Sequence, residues 1–486
     1  MKKYQIDYMQ EGNCLDEFDY LQKNKLNEEC GCFGIFQVQD AASLTYFGLH
    51  ALQHRGQEAC GIASSNGKNV TCYKGKGLIS DVFNNSIIKE LSGKLSVGHV
   101  RYATHGSNEI ENVQPIMVRA HTGHFALAHN GQIVNANEIK IGLEKEGSIF
   151  QGTSDSEILV HLIQKESGTM VYKIMQACAK MEGAFAVIIM TKDTMYAIRD
   201  KNGLRPLSIA ELNGGYCVSS ETCAYDIVNA KFIRDIEPGE VLRISNEGIQ
   251  SFKYTIDTQK KMCAMEYIYF ARPDSVIDNL NVHNFRKECG KIIARRDNIK
   301  ADMVIGVPDS SISAAIGYAE ESKIPYEIGL IKNRYVGRTF IQPTQKQRER
   351  GVRMKLSAIS AIVKGKSVIM VDDSIVRGTT SKRIVLLLFD AGATEVHVRI
   401  ASPEIISPCF YGVDTSTFEE LISARLDLEQ LKEFISATSI SFMSVEETIE
   451  AAKSNNLCLS CFTGKYPTKL FGFDKVLKEQ REKNDW

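Results

Sequence analysis

The chain lacks a strong excess of either charge, since 58 Lys and Arg face 59 Asp and Glu and leave a formal net charge of −1 over 486 residues. General nucleic-acid or membrane-surface binding requires a basic surface, so neither partner is expected. Long apolar runs are also missing: Ala184–Met190 and Ile384–Phe389 have only the length of a strand or part of a helix. A membrane-spanning helix needs about 20 apolar residues, so no span is predicted.

Neither a secretory leader nor a disulfide framework is expected. The first 20 residues contain acids and no apolar core, unlike a signal peptide. Thirteen cysteines are an odd number scattered over a long chain, which is not the pattern of a disulfide scaffold. We therefore predict a cytoplasmic protein of two or three domains whose cysteines are thiols or ligands.

The stretch Val368–Ser381, VIMVDDSIVRGTTS, combines three features of a ligand site. Four apolar residues predict a buried strand, the carboxylates of Asp372 and Asp373 follow, and a loop rich in hydroxyls and glycine precedes a helix over 382–390. Unpaired N–H groups at a helix start suit a phosphate, and an acidic pair suits ribose hydroxyls or a divalent metal. The stretch predicts a sugar-phosphate site, and the alternative is an ordinary surface loop.

Two neighbouring segments of the second half extend this prediction. The strand Met303–Pro308, the hydroxyl-rich loop Asp309–Ser313 and the helix over 314–321 form another strand–loop–helix unit suited to phosphate. The segment Lys332–Lys355 contains eight basic residues and one acid, so it is expected to face a polyanion as a closing loop. A solvated basic surface is the alternative.

The first half offers a candidate nucleophile at Cys30, which begins a predicted strand over 30–38. If the polar leader 1–29 is removed, the freed α-amino group, with a pKa of about 7.7–8.0, can accept the thiol proton. The alternative is a small buried residue, which cysteine often is.

A pocket for a small amino acid needs a cation, an anion and oxyanion donors. Arg101, Asp155, and the Asn130 side chain with the Gly131 N–H supply these in turn. The run 152–157 further predicts a capping box that opens a helix over 157–164. Each of these residues alone fits a structural strand end or cap.

The motifs CGCFG, LQHRGQE, GHVRYAT, HNG, SDSE and DKNGLRPL resemble the glutamine-hydrolysing domain of the N-terminal-nucleophile amidotransferases. The resemblance implies that Cys30 attacks the glutamine amide to form a thioester. It also implies that Arg101 binds the glutamine carboxylate, Asp155 helps to hold the amine, and Asn130 and Gly131 form the oxyanion hole. Two departures are Cys32, interpreted as a small core residue, and His105, whose role is open.

The second half resembles the type I phosphoribosyltransferases, and the motifs of both halves, in order over 30–466, resemble the amidophosphoribosyltransferase family. The implied fold is an α+β N-terminal-nucleophile glutaminase sandwich followed by an α/β type I phosphoribosyltransferase domain. The implied Mg²⁺ ligands are Ser310, Asp372 and Asp373. The residues implied to bind 5-phosphoribosyl 1-pyrophosphate (PRPP) are Asp372, Asp373, Ser374, Arg377, Gly378, Thr379, Thr380, Lys332, Arg353 and Lys355.

This resemblance implies a layout and a reaction. A propeptide over 1–29 precedes a glutamine amidotransferase domain over 30–254, a phosphoribosyltransferase domain over 255–466 and a tail over 467–486. The reaction transfers ammonia, released when water hydrolyses glutamine, to PRPP in the first committed step of purine synthesis. A homotetramer with feedback by purine nucleotides is also implied.

The C-x-x-C pair of Cys458 and Cys461 alone could bind zinc, bind an iron–sulfur cluster or act in redox chemistry, and no second C-x-x-C completes a zinc ribbon. Cys263 and Cys409, by themselves, are ordinary structural residues. In one kind of the family, a cleaved leader accompanies a 4Fe-4S cluster bound by cysteines in these four contexts. The resemblance therefore implies that cluster here.

Three other functions remain open at this point. A different amidotransferase would share the first half but lack VIMVDDSIVRGTTS. A non-catalytic ligand sensor would not need Cys30 or the glutamine pocket. A zinc-stabilised binding module would be colourless, whereas a protein with an iron–sulfur cluster is brown.

Overall fold

The computed structural model describes residues 30–102, 109–120, 123–333, 356–415 and 417–483. The proposed leader, together with His105, Arg353 and Lys355, lies outside these ranges. No described helix has both the length and the apolar character needed to cross a bilayer.

The first half forms two stacked antiparallel sheets. Its strands are β1 (Gly31–Phe36), β2 (Ala59–Ser65), β3 (Val70–Lys76), β4 (Leu95–Arg101), β5 (Ile116–Ala120), β6 (Gly123–Ile133), β7 (Gly183–Met190), β8 (Met195–Arg199), β9 (Ser208–Leu212), β10 (Gly215–Ser219), β11 (Lys231–Asp235), β12 (Glu240–Ser245) and β13 (Gly248–Lys253). Among the described residues, one sheet has the order β11-β9-β10-β1-β4-β2-β3 and the other has the order β13-β12-β8-β7-β6-β5.

Helices cover the outer faces of both sheets. They are α1 (Ala41–Ala51), α2 (Ile79–Val82), α3 (Asn85–Glu90), α4 (Ala136–Lys145), α5 (Ser156–Lys165), α6 (Met170–Lys180) and α7 (Cys223–Val228). Because side chains alternate along a strand, Phe33 and Ile35 of β1 pack with α1 and α7, whereas Cys32 and Phe36 pack between the sheets. Cys32 is fully buried, and burial holds the pKa of its thiol well above the usual value. The interpretation of Cys32 as a core residue is confirmed.

The second half contains a parallel sheet in the order β17-β20-β21-β22, formed by Met303–Gly306, Ser367–Asp372, Glu395–Ile400 and Ser439–Phe442. Its helices are α8 (Val282–Arg296), α9 (Ile312–Ser322), α10 (Ser360–Val363), α11 (Thr379–Asp390), α12 (Leu428–Ile435), α13 (Val445–Ala452), α14 (Ser460–Thr463) and α15 (Gly472–Lys483). Short strand pairs are β14 (Met262–Cys263) with β23 (Leu457–Cys458), β15 (Val276–Ile277) with β16 (Leu280–Asn281), and β18 (Leu330–Lys332) with β19 (Leu356–Ala358).

The predicted strand–loop–helix units of the second half are therefore present, with bounds shifted by a few residues. Apolar cores lie on both faces of the parallel sheet, as such a sheet requires. One of these cores also includes Val134, Ala184 and Leu204 of the first half. The two halves thus share a continuous apolar core, which brings their loops together.

Candidate active sites

The predicted glutamine centre is assembled from strand ends of both sheets in the first half. Cys30 directly precedes β1, is half-buried, and donates its thiol hydrogen to the carbonyl oxygen of Tyr102 (Sγ–O 3.5 Å). Arg101 ends the neighbouring strand β4, whose Val100 pairs with Gly31 at the start of β1. The side chains of Cys30 and Arg101 therefore lie at the same end of these two adjacent strands. The arginine is only 4% exposed.

The facing strand β6 contributes Asn130 and Gly131. His99 on β4 contacts β6 through its Nε2, 3.1 Å from the carbonyl oxygen of His129, and thus joins the two sheets. The Asn130 side chain is buried, and its Nδ2 has no hydrogen-bond partner within the described part of the chain. A buried unpaired donor is costly unless a ligand uses it, so this group fits an oxyanion donor.

Asp155 lies at the N-terminus of α5 and is 7% exposed. Its Oδ2 accepts a hydrogen bond from the Ile133 N–H (2.8 Å), which ties the carboxylate to the end of β6. The predicted capping box is wrong: the helix begins at Ser156, and Asp155 makes no side-chain cap bond. The Glu157 carboxylate instead accepts from the N–H groups of the preceding loop, Gln151 and Gly152, both at 2.8 Å.

A buried ionic network joins Cys30 to the second half. Arg55 donates from Nε to the Cys30 carbonyl oxygen (3.1 Å) and pairs with Glu221 (2.6 Å) and Glu266 (2.7 Å). Arg205 also contacts Glu266, at 3.4 Å, and all four of these charged side chains are fully buried. The neighbouring His54 and Arg55 side chains hold the pKa of Glu221 below its usual value despite burial.

Neither glutamate was predicted from the sequence as a functional residue. Glu266 lies in the apolar run MCAMEYIYF, where an acid requires a buried partner. That signal was available, although it did not identify which cation would pair with it.

The second centre is a cavity of about 370 Å³ at the carboxyl ends of β17 and β20. It is lined by Asp372, Asp373, Ser374, Arg377, Gly378, Thr380, Ser310 and Lys332 from the predicted set, together with His54, Arg55, Arg272 and Arg286. Thr379 does not line the cavity; it begins α11. The first half therefore contributes two basic side chains, His54 and Arg55, to the wall of this pocket.

The acidic pair is held by hydroxyl groups. Ser310 donates to Asp373, Ser311 donates to Asp372 (3.0 Å), and Ser374 donates to the other oxygen of Asp373 (2.7 Å). No set of three or more His, Cys, Asp or Glu in the described ranges forms an all-protein metal site. This donor set fits Mg²⁺, which commonly uses one or two carboxylates, waters and substrate phosphates.

The loop before α11 has the geometry expected of an anion site. Gly378 adopts φ +73°, a left-handed conformation that favours glycine, and a Cβ there would lie 2.7 Å from Ile422 Cδ1. Arg377 pairs with Glu420 (2.7 Å), and its buried Nη1 has no partner among the described residues. Lys332 contacts Asp309 (2.9 Å) at the mouth of the cavity.

The four predicted cluster ligands line a second, mainly apolar cavity. Cys263 and Cys458 are opposite each other in the β14–β23 pair, and Cys409 and Cys461 lie beside them. None of the four forms a disulfide within the described part of the chain. No group of three or more of these side chains in the described ranges is placed to hold a metal ion, yet four cysteine sulfurs in a mainly apolar wall are the donor set of an iron–sulfur cluster.

Comparison with known proteins agrees with this two-centre architecture. Residues 99–226 match the family described as glutamine amidotransferase domain, and residues 278–402 match the phosphoribosyl transferase domain family. The amidophosphoribosyltransferase of Bacillus subtilis strain 168 is 54% identical over 94% of this chain and 98% of its own. That of Staphylococcus aureus strain MRSA252 is 49% identical over 93% of this chain and 94% of its own.

Solved structures of relatives are also similar to this chain in fold and sequence. The glutamine PRPP amidotransferase of B. subtilis, complexed with ADP and GMP, has a TM-score of 0.87 and 54% identity, covering 91% of this chain and 98% of that chain. Fold and site together define a glutamine amidotransferase joined to a phosphoribosyltransferase. The chain belongs to the amidophosphoribosyltransferase family.

Proposed function

We propose that this chain transfers the amide nitrogen of glutamine to C1 of PRPP, giving 5-phosphoribosylamine, glutamate and pyrophosphate, as the first committed step of purine synthesis. The main observation behind the proposal is the position of Arg55, which contacts the Cys30 backbone and also lines the pocket of the acidic pair. This position links the two centres. A sensor or a different amidotransferase would not require both centres. Family membership supports the same reaction.

In the glutamine centre, the Cys30 thiolate attacks the amide carbon, and its α-amino group, freed by removal of 1–29, accepts the thiol proton. Arg101 binds the substrate carboxylate and Asp155 its ammonium group. Asn130 Nδ2 and the Gly131 N–H stabilise the tetrahedral oxyanion. Ammonia leaves, and water then hydrolyses the thioester to glutamate.

In the second centre, the hydroxyls of Ser374 and Thr380 and the Arg377 guanidinium bind the 5′-phosphate, with the N–H groups of Gly378 and Thr379. Asp372 and Asp373 orient the ribose hydroxyls and, with Ser310, hold Mg²⁺. Bound by these residues, Mg²⁺ would supply positive charge opposite the pyrophosphate group.

Ammonia must reach C1 of PRPP unprotonated, which requires a passage shielded from water. We assign its closure to the basic segment over 332–355, with Lys332, Arg353 and Lys355 meeting the pyrophosphate. Lys332, which lies within the described ranges, lines the mouth of the pocket.

The remaining parts of the proposal rest on the cysteines and the family. Cys263, Cys409, Cys458 and Cys461 hold a 4Fe-4S cluster, which supplies structural cross-linking. Domains over 30–254 and 255–466, a cleaved leader over 1–29, a tail over 467–486 and a cytoplasmic homotetramer complete the description. Feedback by purine nucleotides is supported by the relative solved with ADP and GMP.

The test is the substitution Cys30→Ala. It should abolish glutamine-dependent synthesis of phosphoribosylamine while synthesis with added ammonia persists, because only the nucleophile is removed. Cys32→Ala is the matched control: this buried thiol lies two residues away and should leave both activities near the parent level. Loss of both activities in Cys30→Ala would contradict the two-centre proposal.

A further inference from the structure

A loop from the second half packs against the glutamine centre. This segment, Cys409–Thr415, is here named the cysteine loop, and it contributes Cys409 to the four-cysteine cavity. Two hydrogen bonds close it: the Cys409 N–H donates to the Thr415 carbonyl oxygen (3.0 Å), and the Tyr411 N–H donates to Cys409 Sγ (3.4 Å). The loop therefore has a defined shape at the point where it meets the first half.

The contact is made by Gly412, which is buried and has φ +104°. A Cβ added at this position would lie 3.3 Å from the carbonyl carbon of Gly131 and 3.5 Å from its oxygen. The backbone of the cysteine loop thus lies directly against the backbone of the proposed oxyanion glycine, and a Cβ on Gly412 would be in tight contact with it.

Arg205 of the first half secures this contact. Its guanidinium is fully buried and donates from both Nε (3.2 Å) and Nη2 to the carbonyl oxygen of Tyr411, the residue before Gly412. A Cβ on Gly412 would also lie 3.2 Å from Arg205 Nη2. One buried cation therefore fixes the loop at the place where it meets Gly131.

Gly131 is confined on its other side as well. A Cβ on Gly131 would lie 2.2 Å from the carbonyl oxygen of Ala184 on β7. The strand segment with the oxyanion donors thus contacts both β7 and the cysteine loop closely, and in a close-packed interior a shift of the loop is expected to move it.

We infer that Gly412 and Arg205 are positioning residues for glutamine hydrolysis, holding Gly131 and the adjacent Asn130 where the oxyanion forms. The inference rests on the proposed role of these two donors. Oxyanion donors act by being fixed before the reaction, and a displacement of about 1 Å costs roughly 100-fold in rate. The second half would therefore set the efficiency of the first centre by direct contact.

The test compares Gly412→Ala with Gly248→Ala in the full-length enzyme. Gly248 has nearly the same backbone angle (φ +99°) but no atom within 4 Å of an added Cβ, so it controls for backbone strain alone. In Gly412→Ala, the kcat for glutamine hydrolysis should fall about 10- to 100-fold. The KM for glutamine and the ammonia-dependent rate should stay within about twofold of the parent values, as should both rates in Gly248→Ala.

Alkylation of Cys30 by iodoacetamide separates positioning from a general structural role. This displacement forms no oxyanion, so its rate should be unchanged in Gly412→Ala although kcat falls. If Gly412→Ala does not fold, Arg205→Lys, which retains the charge but loses one hydrogen bond to Tyr411, should show the same separation with a smaller loss.

Two outcomes overturn the inference: a kcat for Gly412→Ala equal to that of Gly248→Ala, or parallel loss of the hydrolysis, ammonia-dependent and alkylation rates. Asn130→Ala in the same assays tests the underlying proposal. If Asn130→Ala hydrolyses glutamine normally, the oxyanion assignment itself fails. If Asn130→Ala is impaired and Gly412→Ala is not, only the role of Gly412 fails.

Discussion

The two centres of this chain differ in how buried their functional side chains are and in how open the sites are. The glutamine centre contains Arg101, Asn130 and Asp155, each no more than 7% exposed. The first two lie on strands of the stacked sheets, and Asp155 lies at the start of a helix. The PRPP centre is an open cavity of about 370 Å³ formed by loops after parallel strands. Covalent chemistry on a small amide needs donors fixed in place, whereas displacement of pyrophosphate needs charge compensation and a path for a large substrate.

The largest expected effect tests whether the centres are separate. Asp373→Asn removes a carboxylate charge from the PRPP pocket and should lower ammonia-dependent synthesis by roughly 100- to 1,000-fold, as for loss of one electrostatic contact to a transition state. Basal glutamine hydrolysis, measured as glutamate release without PRPP, should persist. Complete loss of that hydrolysis would show that the glutamine centre does not work independently of the PRPP centre.

The next effect concerns the network between the centres. Glu266→Gln leaves the buried Arg55 and Arg205 without their shared anion and should lower the free energy of unfolding in urea by about 3–5 kcal/mol. Glu450→Gln removes a solvent-exposed ion pair with Arg295 and should change it by less than about 1 kcal/mol. Equal effects would mean that the network does not stabilise the junction.

A smaller effect distinguishes binding of the two substrates. Arg101→Lys loses the planar fork that matches a carboxylate and should raise the KM for glutamine about 10- to 100-fold with little change in the KM for PRPP. Arg243→Lys on the exposed β12–β13 hairpin is the control. Steady-state kinetics that vary each substrate in turn would measure this, and a matching rise in both KM values would count against the assignment.

The smallest effect is a pH dependence of the rigid centre. Burial lowers the pKa of His99 to about 3, below the usual value of 6.5. The unfolded chain therefore binds more protons, and the contribution of His99 to stability is lost as the pH falls below 6.5. The loss should reach about 2 kcal/mol at pH 5.

The measurement is the free energy of unfolding between pH 7.5 and 5 for the parent and His99→Gln. The variant should show a shallower decline, since glutamine does not titrate. Identical slopes would contradict the assignment of a buried neutral imidazole at this position.

Local sequence patterns predicted much of this molecule. The apolar run before the acidic pair predicted a strand that the structure shows as Ser367–Asp372, and the helix predicted over 382–390 is part of α11. These elements depend on local periodicity and on helix-start chemistry, which a short window of sequence contains. The motif residues Cys30, Arg101, Asn130 and Asp155 were proposed through the family resemblance of their motifs, and their roles stay predictions.

Long-range pairing was not predictable from such windows. Arg55 meets Glu221 and Glu266, 166 and 211 residues later, and no local pattern encodes that choice. The failed capping box has a related cause: the Ser-x-x-Glu pattern also suits a glutamate that binds the loop before the helix, and the position of Asn112 against that loop is a tertiary contact.

The ionic network described between the halves has a consequence for dissecting the protein. A fragment that ends near residue 254 would retain Arg55, Arg205 and Glu221 but lose Glu266. It would expose the apolar surface of Val134, Ala184 and Leu204 at the same time. The glutaminase half is therefore expected to aggregate when produced alone. Its activity is expected to require the complete polypeptide.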